Sequence, residues 1–229
     1  PAARKADSGT ERCGIVEWEQ QRALLVSALH GLSRAQLSPG ASGNASVKTP
    51  DDSMLISATG QIAANTRPSD LVYIKPDGQI TGGQLKPSSE WRMHWQVYQD
   101  HPEAGGIVHC HSRYATVLAC QRKEIPAFHY MIAVAGGSSI PCAPYALYGS
   151  KELSERVSHA LQQRKACLLA NHGQIAFGSD PIKALALAKE VEELAANYYF
   201  SLQHGGPTLL SEQEMAEVLA QYADYGQQR

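Results

Sequence analysis

The 229-residue chain has no CxxC pair, no window approaching the roughly 18 apolar residues of a membrane span, and no dense run of basic residues. Each absence removes a class of function. Without CxxC there is no base for a cysteine-held zinc site, so any metal must be held by histidines and carboxylates. Without a long apolar run no membrane-spanning helix is expected. The start, PAARKADSGTERCG, also lacks the apolar core of a secretory signal, which makes the cytoplasm the expected compartment. Lys plus Arg number 20 against 22 Asp plus Glu, so charge gives no reason to expect nucleic acid or a membrane surface as partner. A small ligand, anionic ones included, stays open. There is no internal repeat, low-complexity tract or interdomain linker. The five cysteines are odd in number and scattered, with Cys110, Cys120 and Cys167 in apolar surroundings, and they read as reduced, mostly buried thiols.

What remains is an ordinary globular composition, 43% hydrophobic and 18% charged, in a length that suits one domain. Residues 1–14 are polar and irregular and read as a flexible segment ahead of a domain over 15–229. VEWEQQRALLVSALHGL spaces its apolar residues as a helix ending near Gly31. SMLISAT and LVYIKPDGQI read as strands, the second with the hairpin signal Asp77-Gly78. WRMHWQVYQDH fits a helix with Trp91, Trp95 and Tyr98 on one face, capped by Ser88 or Ser89. GGIVHCH reads as a strand, SRYATVLACQR as a helix and IPAFHYMIAV as an extended segment. SKELSERVSHALQQR then reads as a helix, with ACLLANHG and QIAFG as strands after it. A long helix is expected from Asp180-Pro181 to about Gln203, and a last one from the capping box Ser211 to Glu214. The sum is one α/β domain, a central sheet flanked by helices.

Chemistry concentrates at the strand ends. Side chains two apart in a strand share a face, so in IVHCHSRY His109 and His111 project together while Cys110 turns away. Taken alone, the pair fits a metal site and a structural pair bonded to backbone equally well. LLANHG repeats the design, an apolar strand ending on His172. Three neutral imidazoles on neighbouring strand ends match the His₃ set that catalytic zinc uses. His94, on the apolar stripe of its helix, reads as a core or interface residue, and His129 is undecided. Ser42-Gly43-Asn44, Thr59-Gly60 and Ser88-Ser89 have the composition of a neutral phosphate cradle, although any one of them is more commonly a turn or cap. Glu90 either complements a helix dipole or, beside a metal and a phosphate, transfers protons.

GNASV, SATG, PSSEWRMH, IVHCHS, HYMIAVAGGSSIPCAPYALYG and LLANHG, in this order and spacing, resemble the class II aldolase/adducin family from about residue 17 to the end. The fold this implies is a central, mainly antiparallel sheet flanked by α-helices. The resemblance implies one Zn²⁺ per subunit on His109, His111 and His172, with Glu90 as both acid/base and fourth ligand. It implies that Gly43, Asn44, Thr59, Gly60, Ser88 and Ser89 surround a substrate phosphate. Tyr130 matches a tyrosine donated across a subunit interface of a homotetramer, and Tyr225 a tyrosine of a C-terminal tail that covers the site. The implied partner is a phosphorylated sugar, L-fuculose 1-phosphate or a close analogue, cleaved to dihydroxyacetone phosphate and an aldehyde. Related alternatives are 5-deoxy or 5-methylthio pentulose phosphate aldolases, a sugar-acid phosphate decarboxylase and a pentulose-phosphate epimerase; the epimerases carry aspartate at the position of Glu90. A non-catalytic, adducin-head-like scaffold is the alternative of another kind. Two departures stand out: Ala41 occupies a position where fuculose-phosphate-cleaving members carry threonine, and the tail's basic residue appears one place late, as Arg229.

Overall fold

A computed structural model describes residues 18–81 and 85–223; Tyr225, Arg229 and the segment 1–14 lie outside the described residues. The elements run α1 (Glu19–Arg34), β1 (Asn44–Lys48), β2 (Met54–Ile56), β3 (Val72–Ile74), β4 (Ile80–Thr81), α2 (Trp91–Asp100), β5 (Gly106–Cys110) and α3 (Arg113–Cys120). There follow β6 (Cys142–Ala143), α4 (Lys151–Leu161), β7 (Ala166–Leu169), β8 (Gly173–Gly178), α5 (Pro181–Gln203) and α6 (Glu212–Ala223). Among the described residues eight strands form one sheet in the order β4-β3-β2-β1-β5-β8-β7-β6. All neighbours pair antiparallel except β6 and β7.

The strand period of two sorts the core into two layers. From β5, Val108 and Cys110 enter the layer beneath α1, α3 and α5, while Ile107 faces α2 and α4. β7 alternates likewise: Ala166 and Leu168 go to the first layer, Cys167 and Leu169 to the second. Burying both faces explains why β5 and β7 are nearly continuous apolar runs. Helix starts are fixed chemically. The Asp180 carboxylate accepts the Lys183 N–H at 2.8 Å with Pro181 in the first turn, and Ser211 and Glu214 exchange the two bonds of a capping box.

Several local expectations are corrected. α1 runs three residues past Gly31, to Arg34. Residues 130–135 of the expected extended segment wind into a 3₁₀-helix, because His129 Nδ1 accepts the Met131 N–H and Gly136 closes the turn at φ +90°. The buried face of α2 is Met93, His94, Val97 and Tyr98, with Trp91 and Trp95 only half buried at its flanks. Glu90, not a serine, is the residue at the N-cap of α2; the Ser88 hydroxyl accepts the Glu90 N–H at 3.3 Å. Cys120 is exposed, while Cys110 and Cys167 are buried free thiols. No helix among the described residues is long and apolar enough to cross a membrane.

Candidate active site

β1 and β5 lie side by side with Asn44 opposite His109. Both side chains face α2, where Glu90 stands at the helix start. Asn44 Nδ2 donates to Glu90 Oε2 at 3.0 Å, and His109 Nε2 lies 3.1 Å from the same oxygen. His111 follows the end of β5, with its Nε2 3.1 Å from that of His109. His172 sits in the tight turn joining β7 to β8, which needs Asn171 at φ +56°, and its Nε2 lies 3.3 Å from Glu90 Oε1. Gly173 allows this convergence, since a Cβ there would fall 2.4 Å from the Cys110 carbonyl oxygen and 2.9 Å from the His111 ring.

The three imidazoles, His109, His111 and His172, are arranged edge to face. Their planes meet at 70° to 74° with centroids 4.8 to 5.0 Å apart, and their ligand atoms all fall within 4.8 Å of one another. His109 Nδ1 donates to the Gln174 carbonyl at 2.8 Å, which turns Nε2 inward. Burial and the neighbouring His109 push His111 and His172 down to about 4, so both are neutral lone-pair donors at pH 7. Burial works against a charge on Glu90, yet His109, His172 and Asn44 outweigh it and hold the carboxyl well below the usual carboxylate range. For His109 burial lowers the pKa and Glu90 more than offsets it, raising it. The site's field thus favours positive charge at its centre. Glu90 Oε1 is buried without hydrogen-bond geometry to any partner among the described residues. An unpaired carboxylate oxygen and three inward imidazole nitrogens fit a divalent cation.

Above this group opens a cavity of about 330 Å³. Gly43, Asn44, Thr59, Gly60, Ser88, Ser89, Glu90, His111 and His172 all line it, joined by Tyr145, Tyr148 and Asn171, which sequence reasoning missed. Among the described residues its lining contains no Lys or Arg. The N–H groups of Gly43, Gly60 and Ser89 find no partner among the described residues, and the start of α2 points its dipole into the same space. An anion would be met by N–H and O–H donors rather than by a cation. Tyr145 and Tyr148 belong to a coil with no periodic pattern. Gly149, at φ +71°, brings that coil close to Ser89, where a Cβ would meet the carbonyl oxygen at 2.8 Å. Tyr130 does not line the cavity; it is 53% exposed on the 3₁₀-helix.

Fold and site together define a class. Residues 23–199 match the class II aldolase and adducin N-terminal domain, and the chain belongs to this family. It is an aldolase of the family, a carbon–carbon lyase. Among its relatives, the 5-methylthioribulose-1-phosphate/5-deoxyribulose-1-phosphate aldolase of Rhodospirillum rubrum is 45% identical over 88% of this chain and 90% of its own. The L-fuculose phosphate aldolase of Escherichia coli is 46% identical over 85% of this chain and 90% of its own. A solved L-fuculose 1-phosphate aldolase superposes with a TM-score of 0.86 at 36% identity, covering 90% of this chain and 97% of that one.

Proposed function

We propose that the protein is a zinc-dependent aldolase that reversibly cleaves a ketose 1-phosphate, L-fuculose 1-phosphate or a close analogue, to dihydroxyacetone phosphate and an aldehyde. The observation that carries this reading is the Glu90 carboxylate set among three inward-facing imidazoles at the floor of a donor-lined cavity. His109, His111 and His172, with Glu90, would hold the ion. Once bound, Zn²⁺ supplies Lewis-acid stabilisation of the charge developing on the ketose oxygens, a contribution of several kcal/mol.

The chain's own groups do the rest. Ser88, Ser89, Thr59, Gly60, Gly43 and Asn44 receive the phosphate at the N-terminus of α2, which fixes dihydroxyacetone phosphate with C3 near Glu90. In the direction of synthesis Glu90, a carboxylate at neutral pH, takes a proton from C3. The electron pair released is spread as an enediolate and forms the new bond to the aldehyde carbon, while the aldehyde oxygen gains a proton. Tyr130 of a neighbouring subunit gives that proton, in a homotetramer whose sites lie between subunits; its exposure on its own chain suits this use. Cleavage is the same sequence reversed, and no lysine Schiff base enters. Tyr225, beyond the described residues, is the tail contact of this reading.

A second reading keeps the chemistry and changes the far end of the substrate. The Rhodospirillum rubrum relative favours a 5-methylthio or 5-deoxy pentulose 1-phosphate. Dihydroxyacetone phosphate release from L-fuculose 1-phosphate and from 5-methylthioribulose 1-phosphate, assayed side by side on zinc-loaded enzyme, distinguishes the two. No release from these two or from any of a wider panel of ketose 1-phosphates, with zinc present, would favour a sugar-acid phosphate decarboxylase.

A further inference from the structure

Behind Glu90 runs a buried polar chain that the reaction as described does not use. Glu90, His94 and Tyr98 stand at i, i+4 and i+8 along α2, and Asn44 and Ser46 at i and i+2 on β1. Four helical residues rise about 6 Å and two strand residues about 6.7 Å, so the rungs meet in register. His94 Nε2 lies 2.6 Å from Asn44 Oδ1, and its Nδ1 lies 2.8 Å from Ser46 Oγ, which is itself 2.9 Å from the Tyr98 hydroxyl. His94 is fully buried and does not line the cavity.

The direction of every bond follows from the carboxylate at the end. A carboxylate only accepts, so Asn44 must turn its NH₂ to Glu90 Oε2 and its carbonyl to His94. That carbonyl needs a donor, so the His94 proton is on Nε2. Nδ1 is then an acceptor for the Ser46 O–H, and Ser46 in turn accepts from Tyr98. Burial keeps the imidazole neutral, pushing it down to about 3. With Nε2 bare, the Asn44 amide would turn over and present its carbonyl to the carboxylate.

We infer that His94 is a positioning residue for Glu90: its Nε2–H holds the Asn44 amide in the orientation that donates to Oε2, leaving Oε1 as the oxygen without a hydrogen bond. This rests on the reading of Glu90 as the acid/base. It predicts that catalytic proton transfer, rather than phosphate binding, depends on a side chain outside the cavity.

The test reads exchange of the C3 hydrogen of dihydroxyacetone phosphate in D₂O by proton NMR, on zinc-loaded full-length enzyme. This probe serves whichever aldehyde the enzyme prefers. His94→Leu should lower the maximal exchange rate about 10–100-fold with the half-saturating concentration changed less than about threefold. His94→Gln, whose amide N–H can replace the Nε2–H, should recover most of the rate. His94→Leu at the wild-type rate, or His94→Gln as slow as His94→Leu, would overturn the role. Glu90→Gln separates the two readings. Wild-type exchange there removes Glu90 from the chemistry and the positioning role with it, whereas slow Glu90→Gln beside wild-type His94→Leu overturns the positioning role alone. Should His94→Leu not fold, histidine ¹⁵N NMR of the unmutated protein decides: the inference requires the His94 proton on Nε2 at pH 7, and a proton on Nδ1 contradicts it.

Discussion

Asn44 and His109 are cross-strand partners on β1 and β5, and both converge on Oε2 of Glu90, at 3.0 and 3.1 Å. An adjacent strand pair thus grips one carboxylate at a helix start, one side by a neutral amide and the other by a ring of the three-imidazole group. The register between the two strands fixes this geometry. A one-residue slip of either strand would turn its own side chain, Asn44 or His109, into the opposite core layer and break the pair.

Replacing Glu90 with Gln keeps the shape of the side chain and removes the proposed base. Turnover should fall on the order of a hundredfold or more, with the far-ultraviolet circular dichroism spectrum unchanged. A wild-type rate would remove Glu90 from the mechanism.

The proposed sharing of sites between subunits predicts complementation. Tyr130→Phe alone and Glu90→Gln alone should each be slow. Mixed, denatured and refolded together, they should regain activity, because some sites then combine an intact Glu90 with an intact Tyr130. An activity no greater than the sum of the parents would place both residues in one chain's site or take Tyr130 out of it.

Acid should weaken the metal-stripped protein. His94 is held down to about 3, and His111 and His172 to about 4, against an ordinary value of 6.5. Between those limits the unfolded chain binds protons that the fold refuses, so stability is present above about pH 6.5 and lost as pH falls toward 4. His109, raised by Glu90, has the opposite sign: its contribution is present below the unfolded value and lost as pH rises. Three depressed imidazoles against one raised give a lower urea midpoint at pH 5.5 than at pH 7.5, and an equal or higher midpoint would contradict the assignment.

Two glycines of the site should respond differently to a methyl group. Gly60 has φ +70° with nothing within 4 Å of an added Cβ, so Gly60→Ala should cost about 1–2 kcal/mol of backbone strain alone. Gly173→Ala drives a Cβ to 2.4 Å from the Cys110 carbonyl between β5 and β8, adding overpacking of about 1–3 kcal/mol and moving the His111 ring. Urea unfolding should rank Gly173→Ala as the more damaging; the reverse order would contradict the close approach.

Much of this was legible in the chain because the signals are local. The period of two in IVHCH sends His109 inward and Cys110 to the opposite layer, and Asp180-Pro181 and Ser211 to Glu214 carry their own caps. Illegible were features set by tertiary partners. The 3₁₀-helix at residues 130–135 depends on a histidine side chain accepting a backbone N–H. On α2 the sequence placed His94 and Tyr98 on the buried stripe, as found, but did not show that Trp91 and Trp95 stay half buried, nor that His94 is satisfied by Asn44 and Ser46 from a distant strand. The spacing Glu90, His94, Tyr98 at four-residue steps was the signal available. The coil bearing Tyr145 and Tyr148 has no periodicity, and only its packing on Ser89 brings it to the cavity.

Under the proposed function, carbon–carbon cleavage depends on a zinc ion held by His109, His111 and His172. The most direct test is dihydroxyacetone phosphate release from a ketose 1-phosphate by chelator-stripped protein, before and after one equivalent of Zn²⁺ per chain. The stripped, folded protein should release none, and activity should recover at about one zinc per chain. Full activity in the stripped protein would contradict that dependence.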